Sequence, residues 1–417
     1  MNARGGTLVL GGGFAGAYVG RLLGKRGATI VSRENFMLYT PMLPEAASGT
    51  LEPRHVVVPL RMMCPHSDLL LGRVVRIDTE AQRAQVALEE SLVDVHFHDL
   101  VIALGAVSRT LPIPGLAEHG LGFKSVADAI HLRNHVLQRL EAAVAAPSEG
   151  HRRLELTFVF IGAGYAGVEA LAELSDLVRD ALRYYPSLRD QPQHWVLVDA
   201  APKILPEIPS RLGEYAARQL ERRGVDIRVE TTLAEVHPHA VVLSDGEHLR
   251  TKTLVWTAGV TANPLVAQLG LPLDERGRVR VDETLRVVGH EHLWALGDCA
   301  HVPNAATPGK PDPPTCQHAL RQARRLASNL AEGARRPYRY RMLGQVATLG
   351  RYKGIAEVLG VHLRGFLGWF VTRTYHLYQL PLLTRKLRVV ADWTTSLFFR
   401  RDIAELGQLE RLRRLGT

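Results

Sequence analysis

Cysteine is scarce in this sequence, and long apolar runs are missing. The three cysteines among 417 residues, Cys64, Cys299 and Cys316, form no C-x-x-C pair. This pattern argues against a disulfide-stabilised scaffold and fits a reduced, cytoplasmic compartment. No run reaches the ~18 apolar residues that a membrane-spanning helix needs. An apolar strand is predicted to begin near Thr7, so we expect a chain with neither a transmembrane span nor a signal peptide.

Positive charge is concentrated near the end of the chain. The formal net charge is +9, and the last 57 residues contribute +6 of it, with ten basic and four acidic side chains. Such a segment favours an anionic partner. Lipid head groups and nucleic acid both qualify, but no nucleic-acid-binding motif is present, so no nucleic-acid partner is expected.

Two glycine-rich loops stand about 150 residues apart, at 11–16 and 162–167. Each has the spacing G-x-G-x-x-G, and each follows a short apolar run, at 7–10 and 157–161. Glycines at these positions let the backbone approach a pyrophosphate, and the amino terminus of the following helix supplies unpaired N–H groups. One match is weak, but two in a strand–turn–helix setting predict two bound dinucleotides with electron transfer between them.

The segments that follow the two loops share one plan. Apolar strands that end in small residues, at 101–106 and 254–259, each follow their loop by about 95 residues. The other predicted elements are helices at 14–25, 167–180 and 214–223, and strands at 28–31, 195–198, 226–229 and 293–296. Because strands alternate with helices in both halves, the pattern predicts an α/β protein with two Rossmann-like dinucleotide-binding domains.

The position after the second strand of such a domain usually carries an acid that binds the adenosine ribose. In the second half this residue is Asp199, which predicts NADH rather than NADPH, although an aspartate there can also be only a cap. In the first half the position holds Ser32, followed by Arg33 and Glu34. Glu34 is the nearest substitute for the missing acid.

Three further features have two interpretations each. Glu169, in the first turn of the helix after the second loop, either stabilises the helix dipole or acts near the nicotinamide. Asp298, in a Gly-Asp pair at the end of a strand, either binds the ribityl chain of a flavin or forms a turn. Three pairs of histidines have an x-H-x-H spacing that could suit a metal ion. No cysteine or carboxylate lies in ligand register near them, so we expect them to be surface histidines. These pairs are His96/His98, His237/His239 and His290/His292.

Taken together, these motifs resemble the two-dinucleotide flavoproteins, and specifically the type II, single-subunit, non-pumping NADH:quinone oxidoreductases. The resemblance covers nearly the whole chain. Segment 39–49 resembles a flavin-contacting loop, 284–298 ends in the flavin-binding Gly-Asp, and 316–322 resembles a quinone-site signature. Segment 369–378, with Lys386 and Asp392-Trp393, is similar to the membrane-binding end of that family.

The resemblance implies a set of site residues, and no metal site is expected. FAD would be held by Gly11, Gly13, Gly16 and Asp298, with Ser32, Arg33, Glu34, Pro41 and Gly105 also at the cofactor. NADH would be held by Gly162, Gly164, Gly167, Asp199 and Gly259. Catalytic roles fall to Glu169 near the nicotinamide, Gln317 beside the flavin and Lys386 at the flavin end, and Gln317 and Gln322 border the quinone pocket. Two residues depart from the family: Ser32 replaces the usual acid, and Cys316 replaces the usual alanine.

The last part of the chain is predicted to be amphipathic. Aromatic residues and leucines between Trp369 and Leu383 mix with arginines, and the patch 397–401 repeats the mixture. Such a segment suits an anionic bilayer surface, or packing on its own core or on the second subunit of a homodimer, and these options are compatible. The predicted division is an FAD-binding domain in two parts (1–114 and 271–356), an NADH-binding domain (115–270), and a membrane-surface or dimerisation segment (357–417).

The expected protein is a peripheral enzyme on the cytoplasmic face of the cell membrane. It oxidises NADH by hydride transfer to FAD and passes two electrons to a membrane quinone, without proton pumping because no span provides a proton path. Two alternatives stay open. One is another NAD(P)H-dependent flavin reductase of the same fold, such as a sulfide:quinone oxidoreductase-like enzyme that uses Cys299 and Cys316. The other is a non-catalytic NADH-sensing protein docked at the membrane.

Overall fold

The computed structural model describes residues 1–405, which fall into two compact units. The first unit contains residues 1–39, 57–107 and 260–342, and the second contains 40–56, 108–259 and 343–405. Each unit is therefore discontinuous in sequence, and each is built around its own parallel sheet. Among residues 1–405, none of the helices combines the length and the hydropathy that a bilayer crossing requires.

The helices and strands have the following bounds. The helices are α1 (Phe14–Leu22), α2 (Leu43–Ala47), α3 (Leu60–Met63), α4 (Leu116–His119), α5 (Val126–Val144), α6 (Glu149–Glu155), α7 (Tyr165–Ala181), α8 (Ser210–Glu221), α9 (Cys316–Glu332), α10 (Gly365–Gln379) and α11 (Leu383–Phe398). The strands are β1 (Thr7–Leu10), β2 (Thr29–Ser32), β3 (Phe36–Leu38), β4 (Val57–Pro59), β5 (Asp68–Leu71), β6 (Arg73–Asp78), β7 (Arg83–Ala87), β8 (Leu92–His96), β9 (Asp99–Ile102), β10 (Ala106–Ser108), β11 (Leu121–Gly122), β12 (Thr157–Ile161), β13 (His194–Val198), β14 (Val225–Arg228), β15 (Leu233–His237), β16 (Ala240–Leu243), β17 (His248–Arg250), β18 (Thr253–Trp256), β19 (Val260–Ala262), β20 (Val279–Arg280), β21 (Leu293–Ala295), β22 (Ala300–His301), β23 (Gly344–Thr348), β24 (Gly354–Val358) and β25 (Val361–Arg364).

The first unit is organised by a five-stranded parallel sheet with the order β21-β9-β1-β2-β5. All four residues of β1 are buried, as expected for a strand covered on both faces. Helix α1 packs against α9, and an antiparallel meander β6-β7-β8 stands apart from the main sheet. The glycine loop at 11–16 thus leaves the carboxyl end of a central strand.

The second unit repeats this arrangement with the parallel order β11-β18-β12-β13-β14. Its core combines inward-facing residues of β12, β13 and β18 with residues of the antiparallel sheet β15-β16-β17. A second antiparallel sheet, β23-β24-β25, packs against α10. Because β18-β12-β13 corresponds to β9-β1-β2 of the first unit, the predicted duplication of the two halves is confirmed.

Predicted elements were found, with shifted ends. The first helix stops at Leu22 rather than residue 25, and Gly27, with φ of 74°, ends the turn that follows. The helix predicted from residue 167 already begins at Tyr165. The strands predicted at 101–106 and 254–259 end at Ile102 and Trp256, and the small residues after them form the connecting turns instead.

The C-terminal helices belong to the second unit and do not form a separate segment. The Arg373 guanidinium lies between the rings of Trp369 and Trp393, 4.3 and 4.7 Å from their centroids. Both Arg373 Nη2 (2.9 Å) and Trp393 Nε1 (2.7 Å) donate hydrogen bonds to Glu45 Oε2 in α2. The compact units therefore differ from the predicted division, because 40–56 and everything from 343 onward in the described chain pack with the second unit.

Candidate functional site

The second glycine loop has the geometry of a phosphate cradle. Gly162 has φ of 107° and its N–H donates to Val198 O (2.8 Å). A Cβ on Gly167 would lie 1.8 Å from Gly162 O, whereas one on Gly164 would meet nothing within 4 Å. No side chain caps the amino terminus of α7, so its first amides can face an anion. Gly162 thus allows the turn, Gly167 allows the helix to pack closely on the strand, and Gly164 leaves the backbone open to a ligand.

Asp199 lies directly against this loop. Ile161 pairs with Val198 across β12 and β13, which places Asp199 beside the start of the loop. Its Oδ2 accepts from Ala163 N–H (2.5 Å) and its Oδ1 accepts from Ala201 N–H (2.7 Å). Two backbone bonds fix the carboxylate of this partly buried residue, and each oxygen keeps a further acceptor position for ligand hydroxyl groups.

The first glycine loop repeats this geometry residue for residue. Gly11 has φ of 112°, its N–H donates to Val31 O (2.8 Å), and a Cβ on Gly16 would lie 1.9 Å from Gly11 O. A Cβ on Gly13 would meet nothing within 4 Å, and α1 also lacks a side-chain cap. The loop therefore offers the same open backbone and uncapped helix end as the second.

Ser32 occupies the position in the first unit that Asp199 occupies in the second. Leu10 pairs with Val31, so Ser32 stands beside the start of the first loop. A Cβ on Gly12 would lie 2.5 Å from Ser32 Oγ, which explains why this loop has a fourth glycine where the second loop has Ala163. Ser32 is buried and accepts from Glu34 N–H (3.3 Å), while Arg33 and Glu34 are exposed.

Three neighbouring strands of the first sheet end at one edge and bring predicted site residues together. The glycine loop follows β1, Gly105 follows β9 with φ of 64°, and the Gly297-Asp298 turn follows β21. A Cβ on Gly297 would lie 3.1 Å from the Cβ of Ala15 in the first turn of α1. Ligands of doubly wound sheets bind at this edge. The open loop, the uncapped helix and the adjacent Gly-Asp turn fit the pyrophosphate and polyol of FAD.

The Gly297-Asp298 turn is held by a buried polar network that the sequence did not reveal. Gln322, 2% exposed, accepts from Gly297 N–H through Oε1 (2.8 Å) and donates to Asp312 Oδ2 through Nε2 (3.0 Å). Asp312 is also paired with His318 Nδ1 (2.5 Å) and accepts from Asn304 (2.8 Å). Burial alone would raise the pKa of Asp312, but these hydrogen bonds outweigh it and lower the pKa, so the carboxylate is ionised.

Cys316 and Gln317 begin α9, directly after the N-cap Thr315. Gln317 Oε1 accepts from Tyr340 Oη (3.1 Å). Burial raises the pKa of the Cys316 thiol to about 12, and it raises that of Cys299 to about 11. Both thiols are therefore protonated at neutral pH, which makes them poor nucleophiles.

Glu169, in the second unit, is a buried carboxyl with one strong donor. It accepts from Thr348 N–H (2.8 Å) on β23. Burial raises its pKa to about 8, and the nearby Glu45 and Glu173 add to the increase. Near neutral pH most of it is protonated, so simple stabilisation of a helix dipole by a charge does not describe it.

Of the other predicted residues of the second unit, Gly259 lies near the glycine loop, whereas Pro41 and Lys386 lie on other elements. Gly259, with φ of 85°, follows β18 as Gly105 follows β9 in the first unit. Pro41 lies partly buried in the turn before α2. Lys386, on α11, donates from Nζ to Tyr378 O (2.7 Å) and lies 5.4 Å from the Tyr378 ring centroid. The second glycine loop, Asp199 and Gly259 form one group at the carboxyl ends of β12, β13 and β18.

Two dinucleotide folds in one chain, one with a Gly-Asp turn beside its glycine loop, define a nucleotide-dependent oxidoreductase. The family model described as "Pyridine nucleotide-disulphide oxidoreductase" matches residues 6–323. The internal alternative NAD(P)H-ubiquinone oxidoreductase A1 of Solanum tuberosum is 33% identical, over 96% of this chain and 88% of that protein. The type II NADH:quinone oxidoreductase Ndh of Mycobacterium tuberculosis is 28% identical, over 94% and 87%.

A solved structure gives the same fold. NDH2 from Plasmodium falciparum, determined in complex with NADH, superposes with a TM-score of 0.89 at 17% identity, over 95% of this chain and 99% of that one. The chain belongs to the pyridine nucleotide-disulphide oxidoreductase family and, within it, to the type II NADH:quinone oxidoreductases.

Proposed function

We propose that this protein oxidises NADH and reduces a quinone, with FAD as its bound redox group. The observation that carries the proposal is the pair of equivalent glycine loops, of which only the first has a Gly-Asp turn against its helix. When bound, the flavin accepts a hydride from the nicotinamide and supplies two electrons to the quinone. The protein supplies binding, orientation and electrostatics.

FAD is assigned to the first unit. The backbone of Gly11, Gly13 and Gly16 would hold its pyrophosphate, with the amides of α1 facing the negative charge. Asp298 and Gly105, from neighbouring strand ends, would hold the remainder of the cofactor. Since Ser32 lacks a carboxylate, Glu34 on the surface is the acid available for the adenosine ribose, with Arg33 beside it.

NADH is assigned to the second unit. Gly162, Gly164 and Gly167 would hold its pyrophosphate, and Gly259 lies at the adjoining strand end. Asp199 is already fixed by two backbone N–H groups, so it would accept bonds from the ribose hydroxyls without reorganisation. A 2′-phosphate at the same place would face a carboxylate, which supports NADH over NADPH.

The assignments around the nicotinamide and the quinone follow from the family and from burial. Gln317, partly exposed at the start of α9, is proposed to border the quinone, whereas Gln322 acts there by holding the Gly297-Asp298 turn. A largely protonated Glu169 would serve as a hydrogen-bond donor near the nicotinamide. Lys386 is proposed to stabilise negative charge on the reduced cofactor.

Attachment to a membrane surface is supported by apolar side chains that α10, α11 and the residue after them expose. A lipid surface would bury these side chains, while arginines of the same region contact anionic head groups. They are Phe366, Leu367, Phe370, Tyr378, Leu383, Leu387, Val390, Leu397, Phe398 and Phe399. The same face would also suit a second subunit. The cytoplasmic side and the lack of proton pumping stay predictions.

Of the alternative functions, a sulfide:quinone oxidoreductase-like sulfur relay is the less supported, because Cys299 is buried and its Sγ donates to Ile102 O (3.6 Å) and Leu296 O (3.4 Å). Burial also raises the pKa of the Cys299 thiol to about 11. The decisive experiment mixes the purified protein with NADH under anaerobic conditions. NADH should bleach the visible absorption of the flavin, and a short-chain quinone should restore it. A protein that purifies without flavin would favour the NADH-sensing alternative, and a flavin that NADH leaves oxidised would refute the proposed reaction.

A further inference from the structure

Two histidines from different x-H-x-H pairs meet in the first unit. His98 and Asp99 stand at the amino end of β9, and His292 directly precedes β21. The two strands are parallel neighbours, with Leu293 opposite Leu100 and a hydrogen bond from Leu100 N–H to His292 O (2.9 Å). Parallel strands place their amino ends side by side, so the three residues share one edge of the sheet, opposite to the edge with the glycine loop.

The three side chains have the separations of a metal-ligand set. Their coordinating atoms all lie within 4.8 Å of one another, and the two imidazole centroids are 4.3 Å apart. His292 Nδ1 is 3.6 Å from Asp99 Oδ1. In a tetrahedral zinc site, ligand atoms about 2.0–2.1 Å from the metal are separated by roughly 3.3 Å. The ring of His98 is exposed and that of His292 is half-exposed. Small rotations of the two rings would therefore bring the ligand atoms to the shorter separations of a zinc site.

The backbone and the carboxylate of this cluster are fixed by other groups. His98 N–H donates to Gly6 O (2.7 Å), which holds the main chain at the start of β9. Trp294 Nε1 donates to Asp99 Oδ1 (3.1 Å) and orients the carboxylate. Outer partners of this type commonly orient metal ligands. An ion pair between His292 and Asp99 would account for the proximity of those two side chains, but it would not account for the position of His98 beside them.

The surroundings carry charge of both signs. A cavity of about 380 Å³ adjoins the cluster, and its lining includes Glu291 as well as Arg26 and Arg335. Arg26 donates to Leu330 O (3.4 Å), which also lines the cavity. The arginines weaken the attraction for a cation and Glu291 strengthens it, so a borderline metal that prefers imidazole is favoured over Mg²⁺ or Ca²⁺.

We propose that His98, Asp99 and His292 bind one divalent transition-metal ion, Zn²⁺ or Cu²⁺, and leave one coordination position open for water. The bound ion would join the amino ends of β9 and β21. Strand β21 continues over roughly 10 Å of extended chain to the Gly297-Asp298 turn. The site would therefore stabilise the strand that carries this turn, without touching the turn itself.

The test uses untagged, full-length, flavin-loaded protein that has been stripped of metal with EDTA. Calorimetric titration with ZnCl₂ should show one site, and His98→Ala and His292→Ala should each weaken it by about tenfold or more. The other members of the same pairs provide matched controls, since His96→Ala and His290→Ala should bind as the wild type does. Equal flavin absorbance and circular dichroism must confirm that all four variants are folded.

Cu²⁺ provides an independent measurement. Electron paramagnetic resonance should show coupling to two imidazole nitrogens in the wild type and to one in His98→Ala or His292→Ala. Asp99→Asn should keep both imidazole couplings but bind Cu²⁺ more weakly. Zinc should also raise Tm of the wild type by a few degrees and not that of the double variant His98→Ala/His292→Ala. Absence of zinc binding by the wild type, or affinities that these substitutions leave unchanged, would overturn the proposal.

Discussion

The carboxylate of Asp199 accepts a hydrogen bond from the N–H of Ala163, inside the second glycine loop, at 2.5 Å. Its other oxygen accepts from Ala201 N–H at 2.7 Å. The residue proposed to recognise the ribose therefore also braces the loop proposed to hold the pyrophosphate. In the first unit, Ser32 stands in the same register beside Gly12.

Replacing Asp199 by alanine should reduce the preference for NADH. The variant loses the acceptor for the ribose hydroxyls and the repulsion of a 2′-phosphate. We therefore expect kcat/KM for NADH to fall about tenfold or more, and kcat/KM for NADPH to change less. The fall for NADH corresponds to the loss of a charged hydrogen bond worth about 1.5–3 kcal/mol. Steady-state quinone reduction with each cofactor gives the ratio. Asp199→Asn keeps an acceptor near Ala163 and controls for collapse of the loop. An unchanged ratio in both variants would make Asp199 a structural cap only.

Glu169→Gln should change how stability depends on pH. Burial raises the pKa of Glu169 from the ordinary glutamate value of 4.5 to about 8 in the fold, so the folded state holds a proton that the unfolded state has lost. Its contribution to the free energy of unfolding is fully present below the lower pKa and is lost as the pH rises through the higher one. The wild type should therefore lose stability relative to Glu169→Gln between about pH 5 and about pH 8, with a slope of about 1.4 kcal/mol per pH unit.

Denaturant unfolding of both proteins across this range measures the difference. The glutamine side chain retains an acceptor for Thr348 N–H, so the comparison isolates the charge. Parallel curves for the two proteins would mean that Glu169 titrates in the ordinary range of a carboxyl.

Glu45→Ala should destabilise the second unit strongly. The substitution leaves Arg373 and the indole N–H of Trp393 without their shared buried acceptor. Loss of one partner of a buried ion pair costs about 3–5 kcal/mol. Glu52→Ala is the matched control, because its pair with Arg54 is on the surface and is worth about 0–1 kcal/mol. Equal urea midpoints for the two variants would contradict the anchoring role of Glu45.

Gln322→Leu should weaken flavin binding, since Gly297 N–H and Asp312 both lose their amide partner. Asp312 keeps its bonds to His318 and Asn304, whereas Gly297 N–H is left without this acceptor. Loss of that partner costs about 1–3 kcal/mol, which corresponds to about tenfold in flavin affinity if the turn must reform on binding. Flavin release during dialysis reports the loss. Gln317→Leu should keep its flavin and raise KM for quinone instead. Normal flavin retention by Gln322→Leu would show that the turn holds its shape without the glutamine.

Phe370→Ser with Phe398→Ser should reduce binding to vesicles that contain anionic lipid. Both rings are exposed, and each would bury apolar area worth about 1.5–3 kcal/mol at a bilayer interface. Leu92→Ser is the control, because Leu92 in the first unit is 55% exposed and Phe370 is 54% exposed. Co-sedimentation measures the bound fraction. Undiminished sedimentation of the double variant would favour a second subunit as the partner of this face.

Local sequence was sufficient to predict both glycine loops, the strands before them and the position of Asp199. Each of these depends on residues close together in the chain: apolar runs form buried parallel strands, and glycines allow the positive φ and the close packing that the turn requires. The positive charge and aromatic content of the C-terminal segment were equally visible. The ends of the helices were not, because they depend on where the surrounding fold stops the chain.

What only the tertiary structure decided are the contacts between residues distant in sequence. The strand order of the first sheet places the Gly297-Asp298 turn near the first glycine loop and His98 next to His292. Packing of α10 and α11 on α2 gave Arg373 its partner Glu45, and burial raised the pKa of Glu169. A short motif determines the backbone conformation of its own residues. The surroundings that set a pKa or complete a polar network come from segments far apart in the chain, and no local sequence pattern predicts which of these segments will be in contact.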